Sequence, residues 1–482
     1  MEELLEEKFG HRSFRTGQKE IIQTILKKQD TIAMLPTGTG KSLCYQYPSY
    51  VNNDRVLIIS PLLSLMQDQV DQIKLRGEKR AVAINSFLSF NEKKYVIKHL
   101  ESYRFIFLSP EMLTSDEVLQ KLKKVGVGLL VIDEAHCISQ WGPDFRPDYL
   151  KLSTLKEALN HPCTLALTAT ATEEIRQDIA LKLNMKDCKE WIFSVNRPNI
   201  ALEVVKCSSV KEKEDKLLAD ITVYQSPGIV FFSSKKKAEE LQSKANVKGI
   251  RSAVYHGDIE TDQRILIQQQ FITGQLDWIF ATNAFGMGIN KENIRTVVHF
   301  HMPSSIENFL QEIGRAGRDG IEARSILLYS GYDETIPLQL AEFEKPDYHQ
   351  IESFYSMFRK GNSSELIQQQ LMLSDTQLKV LTYYAEQKSR HSWVKEVDTL
   401  LENRFNHKKK KIMDMKSYID TKICRRQSLL GFFDETLSVN QQQCCDICGL
   451  KDIDATGEKE DRIEYHWKEK LNRLLIGTSD GS

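Results

Sequence analysis

The sequence predicts an α/β protein with two parallel-sheet lobes, followed by a helical segment and a small cysteine-containing module. The first observation is that short, β-branched apolar runs alternate with helical patterns over the first 200 residues, which is typical of a parallel sheet with crossover helices. The second is that this alternation repeats over residues 228–329. The third is that strand signals become rare after residue 332, where a basic stretch and a group of cysteines follow.

The candidate strands form two groups of five. The first group is TIAML (31–35), VLIIS (56–60), FIFLS (105–109), LLVID (129–133) and TLALT (164–168). The second is GIVFFS (228–233), SAVYH (252–256), WIFAT (278–282), TVVHF (296–300) and SILLY (325–329). We therefore divide the chain into lobe 1 (1–195), lobe 2 (196–332), a helical segment (333–402), a basic, cysteine-containing module (403–450) and a helical tail (451–482).

Composition is that of a soluble globular protein. The chain has 482 residues, of which 41% are apolar, and a net charge of −1, so any surface that attracts nucleic acid must be local. The start, MEELLEEKFG, lacks the order of a signal peptide, and no run approaches the roughly 18 apolar residues of a membrane span. We expect a cytoplasmic protein without a membrane partner, associated with the nucleoid if the cell is bacterial.

A glycine-rich loop between a strand and a helix indicates a nucleotide site. LPTGTGKS (35–42) has the context of a P-loop, although Leu35 stands where the strict pattern has glycine. Loop amides and the following helix N-terminus would face the phosphates of ATP, Lys41 would reach the β- and γ-phosphates, and Ser42 would hold Mg²⁺. A chance glycine-rich turn is the alternative. The residues predicted to contact the nucleotide here are Thr37, Gly38, Thr39, Gly40, Lys41 and Ser42.

Two acidic residues end a buried strand of the same lobe. LLVIDEAH (129–136) places Asp133 and Glu134 at the carboxyl end of the strand, the edge at which open α/β sheets bind ligands. Asp133 suits Mg²⁺, and Glu134 suits the polarisation of an attacking water. His136 is either a relay of nucleotide state or a structural histidine.

Two arginines in the second lobe could complete the site. QEIGRAGRDG (311–320) holds Arg315 and Arg318 three positions apart, which on a helix would place them on one face. Such a pair alone would be a solvated face. In a separate α/β lobe, however, the arginines would reach ATP from across a cleft, so closure of the lobes would depend on ATP.

At this point the sequence resembles superfamily 2 helicases, and specifically the RecQ family, over residues 9–332 and 415–449. The resemblance implies two RecA-like lobes that move along DNA. FGHRSFRTGQ resembles the family's adenine-reading segment, which implies that Gln18 reads the adenine edge and Arg15 stacks on the ring, with His11 where tyrosine is common. Other segments resemble motifs that contact nucleic acid or couple hydrolysis to movement: SPLLSLMQDQV (60–70), SPEML (109–113), LTATAT (167–172) and ATNAFGMGINKENIRTVVHF (281–300).

The most family-specific segment is AHCISQWGPDFRPDYL (135–150), which follows the acidic pair directly. Trp141 and Phe145 offer aromatic faces to bases, and Arg146 offers charge to phosphate. The resemblance implies a loop that senses single strands and couples this contact to ATP hydrolysis. An aromatic loop packed on its own lobe is the alternative.

The nine cysteines divide into scattered ones among apolar neighbours and a cluster at Cys444, Cys445 and Cys448. A tight cluster in a reducing compartment favours a metal over a disulfide. The resemblance to the RecQ zinc segment implies that Cys424, which precedes two arginines, is the fourth ligand, and it is the only other cysteine after residue 207. Four thiolates make a closed structural Zn²⁺ site with no open position for a substrate.

A basic stretch surrounds the first of these cysteines. Lysines and arginines crowd residues 408–426, and beside a helicase core we interpret them as contacts to the DNA backbone. A solvated helix face is the alternative. The residues predicted to bind DNA here are Lys408, Lys409, Arg425 and Arg426.

Two regions depart from the resemblance. The helical segment before the basic stretch contains DTQLKVLTYYAEQ (375–387), which is either a helix-turn-helix-like unit or a plain spacer. About 32 residues (451–482) follow the zinc segment, too few for the winged helix of many RecQ proteins. They include a predicted amphipathic helix over 460–475.

The function that the sequence predicts is an ATP-dependent DNA helicase. The resemblance implies 3′→5′ movement on single-stranded DNA, duplex unwinding in repair or recombination, and DNA with single-stranded tails or branches as the partner. A single-strand-binding protein is a further candidate partner. The alternatives are an ATP-driven translocase that does not separate strands, a DNA-binding scaffold with an inactive ATPase, and an RNA helicase.

Overall fold

The computed structural model describes residues 1–61, 63–85, 88–139, 146–283, 285, 291–387, 392–437 and 443–450. Trp141 and Phe145 of the predicted DNA-sensing loop lie outside these residues, as do the predicted tail helix and residues 286–290 of the segment 281–300.

Lobe 1 is a seven-stranded parallel sheet in the order β3-β4-β2-β5-β6-β1-β7. Its strands are β1 (Thr31–Met34), β2 (Val56–Ile59), β3 (Ala81–Ile84), β4 (Phe105–Leu108), β5 (Leu129–Ile132), β6 (Cys163–Thr168) and β7 (Lys189–Ile192). Its helices are α1 (Glu2–Phe9), α2 (Gln18–Leu26), α3 (Leu43–Asn52), α4 (Leu63–Leu75), α5 (Phe90–Lys98), α6 (Asp116–Val125), α7 (Leu152–Ala158) and α8 (Glu173–Lys182). Strands β1 to β6 are buried on both faces, as parallel strands between helical layers must be.

Lobe 2 repeats this plan with six parallel strands. They are β8 (Ile200–Cys207), β9 (Gly228–Phe231), β10 (Ser252–Tyr255), β11 (Trp278–Ala281), β12 (Thr296–His299) and β13 (Ala323–Ser330). The helices are α9 (Val210–Asp220), α10 (Lys235–Val247), α11 (Thr261–Ile272) and α12 (Ile306–Ile313). In both lobes the carboxyl ends of the central strands meet at one edge, so the loops that follow them converge there.

Five helices follow lobe 2: α13 (Thr335–Phe343), α14 (Tyr348–Arg359), α15 (Ser364–Leu371), α16 (Asp375–Gln387) and α17 (Trp393–Asp420). A short turn of three residues joins α15 to α16, which is the connectivity of a helix-turn-helix. Helix α17 has 28 residues and is therefore about 40 Å long. It crosses the predicted boundary between residues 402 and 403, so the helical segment and the basic stretch share one continuous helix.

Helices α14 to α17 enclose a core of their own. Trp393 is fully buried, its ring lies 4.5 Å from that of Tyr355, and its Nε1 donates to the carbonyl of Tyr384 at 3.0 Å. Leu150 of lobe 1 belongs to the same core, and Lys379 of α16 pairs with Asp148 at 3.3 Å. The helical segment therefore contacts lobe 1 at the end of the predicted DNA-sensing segment, 135–150.

The cysteine-containing module ends the described chain with α18 (Arg425–Gly431), β14 (Cys444–Cys445) and β15 (Gly449–Leu450). Strand β14 pairs with β8, so the module extends the sheet of lobe 2 to the order β10-β11-β9-β12-β13-β8-β14-β15. The predicted fold class is confirmed. Among the described helices, none combines the length and the apolar character that crossing a membrane requires.

Candidate functional site

The glycine-rich loop joins β1 to α3 at the carboxyl edge of lobe 1. Gly38 and Gly40 have φ of +85° and +76°, in the left-handed region that glycine adopts without strain. Leu35, which departs from the strict P-loop pattern, is fully buried, and its N–H donates to Thr168 of β6 at 3.0 Å. Leu35 therefore prolongs the sheet, and the loop begins after it. Lys41 and Ser42 are half-buried at its far end.

Arg15 and Gln18 bind the backbone of this loop. An Arg15 Nη donates to the carbonyl of Gly38 at 2.7 Å, and Gln18 Nε2 donates to the carbonyls of Thr39 and Gly40 at 2.8 and 3.1 Å. No sequence pattern predicted these hydrogen bonds. His11 is exposed in the same segment. Contact of the three side chains with adenine stays a prediction.

Asp133 and Glu134 follow β5 beside the loop. Burial raises the pKa of Asp133 to about 7, the Glu134 carboxylate adds to the rise, and the Lys41 ammonium opposes it. A divalent cation would favour the charged form of such a group. The oxygen donors of Asp133 and Ser42 therefore fit Mg²⁺, which prefers carboxylate and hydroxyl ligands.

Glu134 has a φ of +47°, in the strained left-handed region, and its Oε2 is buried without a hydrogen-bond donor among the described residues. This oxygen is available to orient a water molecule. His136 Nδ1 lies 3.4 Å from it and 3.0 Å from Thr168 Oγ1. His136 therefore lies between Glu134 and the LTATAT segment, and its role as a relay or as a structural histidine stays a prediction.

Arg318 of lobe 2 lies over the loop of lobe 1, and Arg315 lies near Glu134. A methyl group at Gly38 would lie 3.0 Å from Arg318 Cγ, so the Arg318 side chain passes directly over the glycine-rich loop. Arg315 is 6% exposed; burial lowers its pKa to about 10, while Glu312 and Glu134 oppose the change. Burial, followed by the charge of Arg315, also lowers the pKa of Arg318 to about 10. Both groups remain cationic at neutral pH.

The prediction that Arg315 and Arg318 lie on one face of a helix is wrong. Helix α12 ends at Ile313, and residues 314–319 form successive turns in which Gly317 has a φ of +54°. The arginines face the cleft because these turns curl around it. Arg197, which sequence reasoning missed, holds the turns: its guanidinium donates to the carbonyls of Gly314, Ala316 and Gly317 at 2.7–3.1 Å. Its place beside a proline in the linker offered no chemical signal.

The four cysteines come together. The Sγ atoms of Cys424, Cys444, Cys445 and Cys448 all lie within 4.8 Å of one another, a spacing that suits ligands of one tetrahedral Zn²⁺. Cys424 caps α18, and although burial acts against it, backbone N–H groups and neighbouring thiols hold its pKa below the usual value. The adjacency of Cys444 and Cys445 is accommodated because β14 is only two residues long and follows Gln443 in a left-handed turn.

The prediction that Arg425 and Arg426 contact DNA phosphates is wrong, because both side chains are buried. They are 4% and 2% exposed. Arg425 pairs with Asp446 at 2.8 Å, and Arg426 donates to Asn196 Oδ1 and to the carbonyl of Arg197, both at 2.9 Å. Arg426 thus anchors the cysteine module to the linker between the lobes, and Arg425 joins α18 to Asp446 and to the end of α17. Charge alone could not distinguish these roles from DNA binding.

The lysines of α17 divide by exposure. Lys409 and Lys410 are exposed, whereas Lys408 is partly covered by an ion pair with Glu344 and Lys411 is buried. Between α13, α17 and the carboxyl ends of β9, β11 and β12 lies a cavity of about 300 Å³. Lysines of α17 line it together with polar side chains of lobe 2: Ser233, Thr282, Asn283, His301, Lys408 and Lys411.

Arg146 belongs to the described part of the predicted sensing segment and contacts Pro61 of lobe 1. Its guanidinium donates to the carbonyl of Pro61 at 3.0 Å, and Pro61 belongs to the segment 60–70 that resembles a nucleic-acid motif. Tyr149 donates to the carbonyl of Asp133 at 3.1 Å. The end of the predicted sensing segment is therefore bonded directly to the acidic pair.

Comparison with known proteins agrees with this arrangement. Family models for a DEAD/DEAH box helicase, a helicase conserved C-terminal domain and a RecQ zinc-binding domain match residues 15–178, 212–320 and 386–449. The probable ATP-dependent DNA helicase RecS of Bacillus subtilis (strain 168) is 43% identical over 98% of both chains. The chain belongs to the RecQ family.

Some relatives in the RecQ family are longer than this chain. The ATP-dependent DNA helicase RecQ of Pasteurella multocida (strain Pm70) is 42% identical over 67% of this chain, which spans 51% of that relative. Among solved structures, S. cerevisiae Dbp5 bound to RNA and ADP BeF3 has a TM-score of 0.57 at 16% identity and covers 84% of this RecQ chain and 97% of its own. This likeness supports the two RecA-like lobes.

Proposed function

We propose that this RecQ protein uses ATP hydrolysis to move along single-stranded DNA and to separate duplex strands. The observation that carries the proposal is that Arg318 of lobe 2 lies over the glycine-rich loop of lobe 1, while Arg315 lies near Glu134 of the partly buried acidic pair. Groups from both lobes must meet for hydrolysis, so each hydrolytic event requires the lobes to close.

The residues divide the work of hydrolysis. Lys41 and the loop amides would hold the phosphates, and Ser42 and Asp133 would hold Mg²⁺, which neutralises the charge that develops on them. Glu134 orients the water with its unpartnered carboxylate oxygen. Arg315 and Arg318 add positive charge from the opposite lobe, where the loose transition state of phosphoryl transfer needs it.

Zinc has a structural role in this proposal. All four thiolates of the cysteine cluster are used as ligands, so the metal would offer no open position to a substrate. It would hold α18 and β14 together at the edge of lobe 2 and thereby fix the end of α17. The exposed Lys409 would then contact the DNA backbone, while Trp141 and Phe145 would stack on bases.

Phosphate release measured with and without single-stranded DNA tests the ATPase. We expect DNA to stimulate release by the wild type, and Lys41→Ala to lose activity by about 10²-fold or more, because one preorganised phosphate donor is worth this much. Lys94→Ala, an exposed lysine on α5 of the same lobe, is the matched control. Equal release by the wild type and Lys41→Ala would refute the assignment of the nucleotide site.

An ATP-driven translocase without strand separation is the second candidate, because no winged helix is found among the described residues. A forked duplex and a single-stranded track that carries a bound protein distinguish the two. Release of the strand supports a helicase, whereas displacement of the bound protein without strand release supports the translocase.

We further propose 3′→5′ polarity and a role in repair or recombination. We also propose a single-strand-binding protein as partner, since unwinding exposes single strands.

A further inference from the structure

We infer that Lys411 and Glu307 form a positioning pair that fixes the arginine motif of lobe 2 against the nucleotide. The inference deepens the proposed function and rests on it, because the pair affects the reaction only if Arg315 and Arg318 act on the phosphates of ATP. Neither residue would touch the nucleotide. Their effect would pass through α12.

The pair joins the middle of α17 to the first turn of α12. Lys411 Nζ donates to Glu307 Oε1 at 2.6 Å, and the two residues are 8% and 1% exposed. Glu307 Oε2 is buried without another hydrogen-bond partner among the described residues, so the Lys411 ammonium compensates the charge of this carboxylate. A buried pair of this kind adds little net stability, but removing one member leaves the other charge uncompensated.

Helix α12 connects the pair to the arginines. Glu307 lies in its first turn, and the chain passes from its last residue, Ile313, through Gly314 to Arg315. The far end of α12 is also held, since His299 Nε2 lies 2.9 Å from Glu312 Oε2. A tilt or shift of this two-turn helix would therefore move the arginine motif as a unit.

Helix α17 connects the same pair to the zinc-binding module. The ring of Tyr418 lies 5.3 Å from that of Phe309 on α12, and the Tyr418 carbonyl accepts a hydrogen bond from Arg425 at 3.1 Å. Arg425 follows the ligand Cys424 directly. A continuous path of packed groups thus runs from the zinc-binding module and the basic face of α17 to the arginines that face ATP. DNA bound on α17 can act on hydrolysis through this path.

Steady-state hydrolysis in saturating single-stranded DNA tests the inference. We expect Lys411→Met to lower kcat about tenfold with little change in the KM for ATP, the split that marks the loss of an interaction made in the transition state. Lys395→Met, an exposed lysine on the same helix outside the basic stretch, should match the wild type. Zinc content and melting temperature, measured on every variant, show whether α17 and the module are folded.

A mutant cycle in a background that carries both Arg315→Lys and Arg318→Lys separates positioning from a general structural effect. If Lys411 acts only through the arginine motif, adding Lys411→Met to this background should lower kcat little further. The inference would be overturned if the factors by which kcat falls in the separate variants multiply in the combined variant, or if kcat is unchanged in Lys411→Met. If Lys411→Met does not fold, Glu307→Gln, which keeps the shape of the side chain, serves in the same cycle. A wild type without DNA-stimulated hydrolysis would instead defeat the proposed function itself.

Discussion

At the residue scale, the contact between the lobes depends on Gly314, although its backbone conformation does not require a glycine. Its φ is −62°, which any residue can adopt. Its carbonyl accepts a hydrogen bond from Thr37 Oγ1 at 2.9 Å, and a Cβ at Gly314 would lie 2.2 Å from that oxygen. Close approach of the P-loop therefore explains the glycine.

Gly314→Ala should weaken hydrolysis without unfolding the protein. Either Thr37 rotates and loses its hydrogen bond, or the lobes move apart, and both move the arginines from the phosphates. We expect kcat/KM for ATP to fall by about 10- to 100-fold, as misplacements of about 1 Å can cost. Gly331→Ala, where an added Cβ meets nothing within 4 Å, is the control. Wild-type kcat/KM in Gly314→Ala would show that this contact is not part of the reactive state.

Residues with local chemical patterns could be predicted, and residues defined by distant partners could not. The glycine-rich loop and the acidic pair are contiguous patterns whose chemistry can be read directly from the sequence. The burial of Arg425 and Arg426 was missed because their partners include residues about 230 positions away, such as Asn196. A guanidinium that binds phosphate and one that binds a carbonyl look the same in a sequence.

At the element scale, the zinc-binding module belongs to the sheet of lobe 2. Cys445 of β14 lies opposite Leu202 of β8, and the N–H of Asp446 donates to the Leu202 carbonyl at 3.0 Å. The metal ligands therefore sit on a strand that also covers the edge of the lobe, which would otherwise be open. Loss of the metal should therefore destabilise lobe 2 as well as the module.

Cys445→Ser should release zinc and destabilise lobe 2. We expect bound zinc to fall from about one per chain toward zero, because structural zinc sites need four ligands. The melting temperature should fall by at least about 4 °C, equivalent to 1–2 kcal/mol for a domain of this size. Cys188→Ser, a half-buried cysteine outside the cluster, is the control. Full zinc content with unchanged melting in Cys445→Ser would contradict the four-thiol site.

The predicted strands show which elements periodicity can find. All ten candidate strands are present, because buried parallel strands are uninterrupted apolar runs. Five described strands were not predicted: β3, β7, β8 and the two-residue strands β14 and β15. Strand β7 is KEWI, whose residues are exposed or half-buried at the sheet edge, and β8 alternates buried with half-buried positions next to a segment interpreted as a linker. Edge strands have a weaker apolar signal because neighbouring strands or helices cover less of them.

At the scale of the whole molecule, the regions after the two lobes join the lobes outside the ATP cleft. The helical segment touches lobe 1 at Asp148 and Leu150, while α17 packs on α12 of lobe 2 and ends at the zinc-binding module. Sequence reasoning placed these regions in order but could not predict this bridge. It depends on which face of each helix finds a partner, and amphipathic patterns do not specify the partner.

Strand separation on tailed duplexes tests the central claim most directly. The substrates are a duplex with a 3′ single-stranded tail, one with a 5′ tail and one with blunt ends, each incubated with ATP and Mg²⁺. We expect the wild type to release the strand from the 3′-tailed duplex far faster than from the other two, and Lys41→Ala to release none. Stimulated ATP hydrolysis without strand release from any substrate, or faster release from the 5′-tailed duplex, would contradict a 3′→5′ DNA helicase.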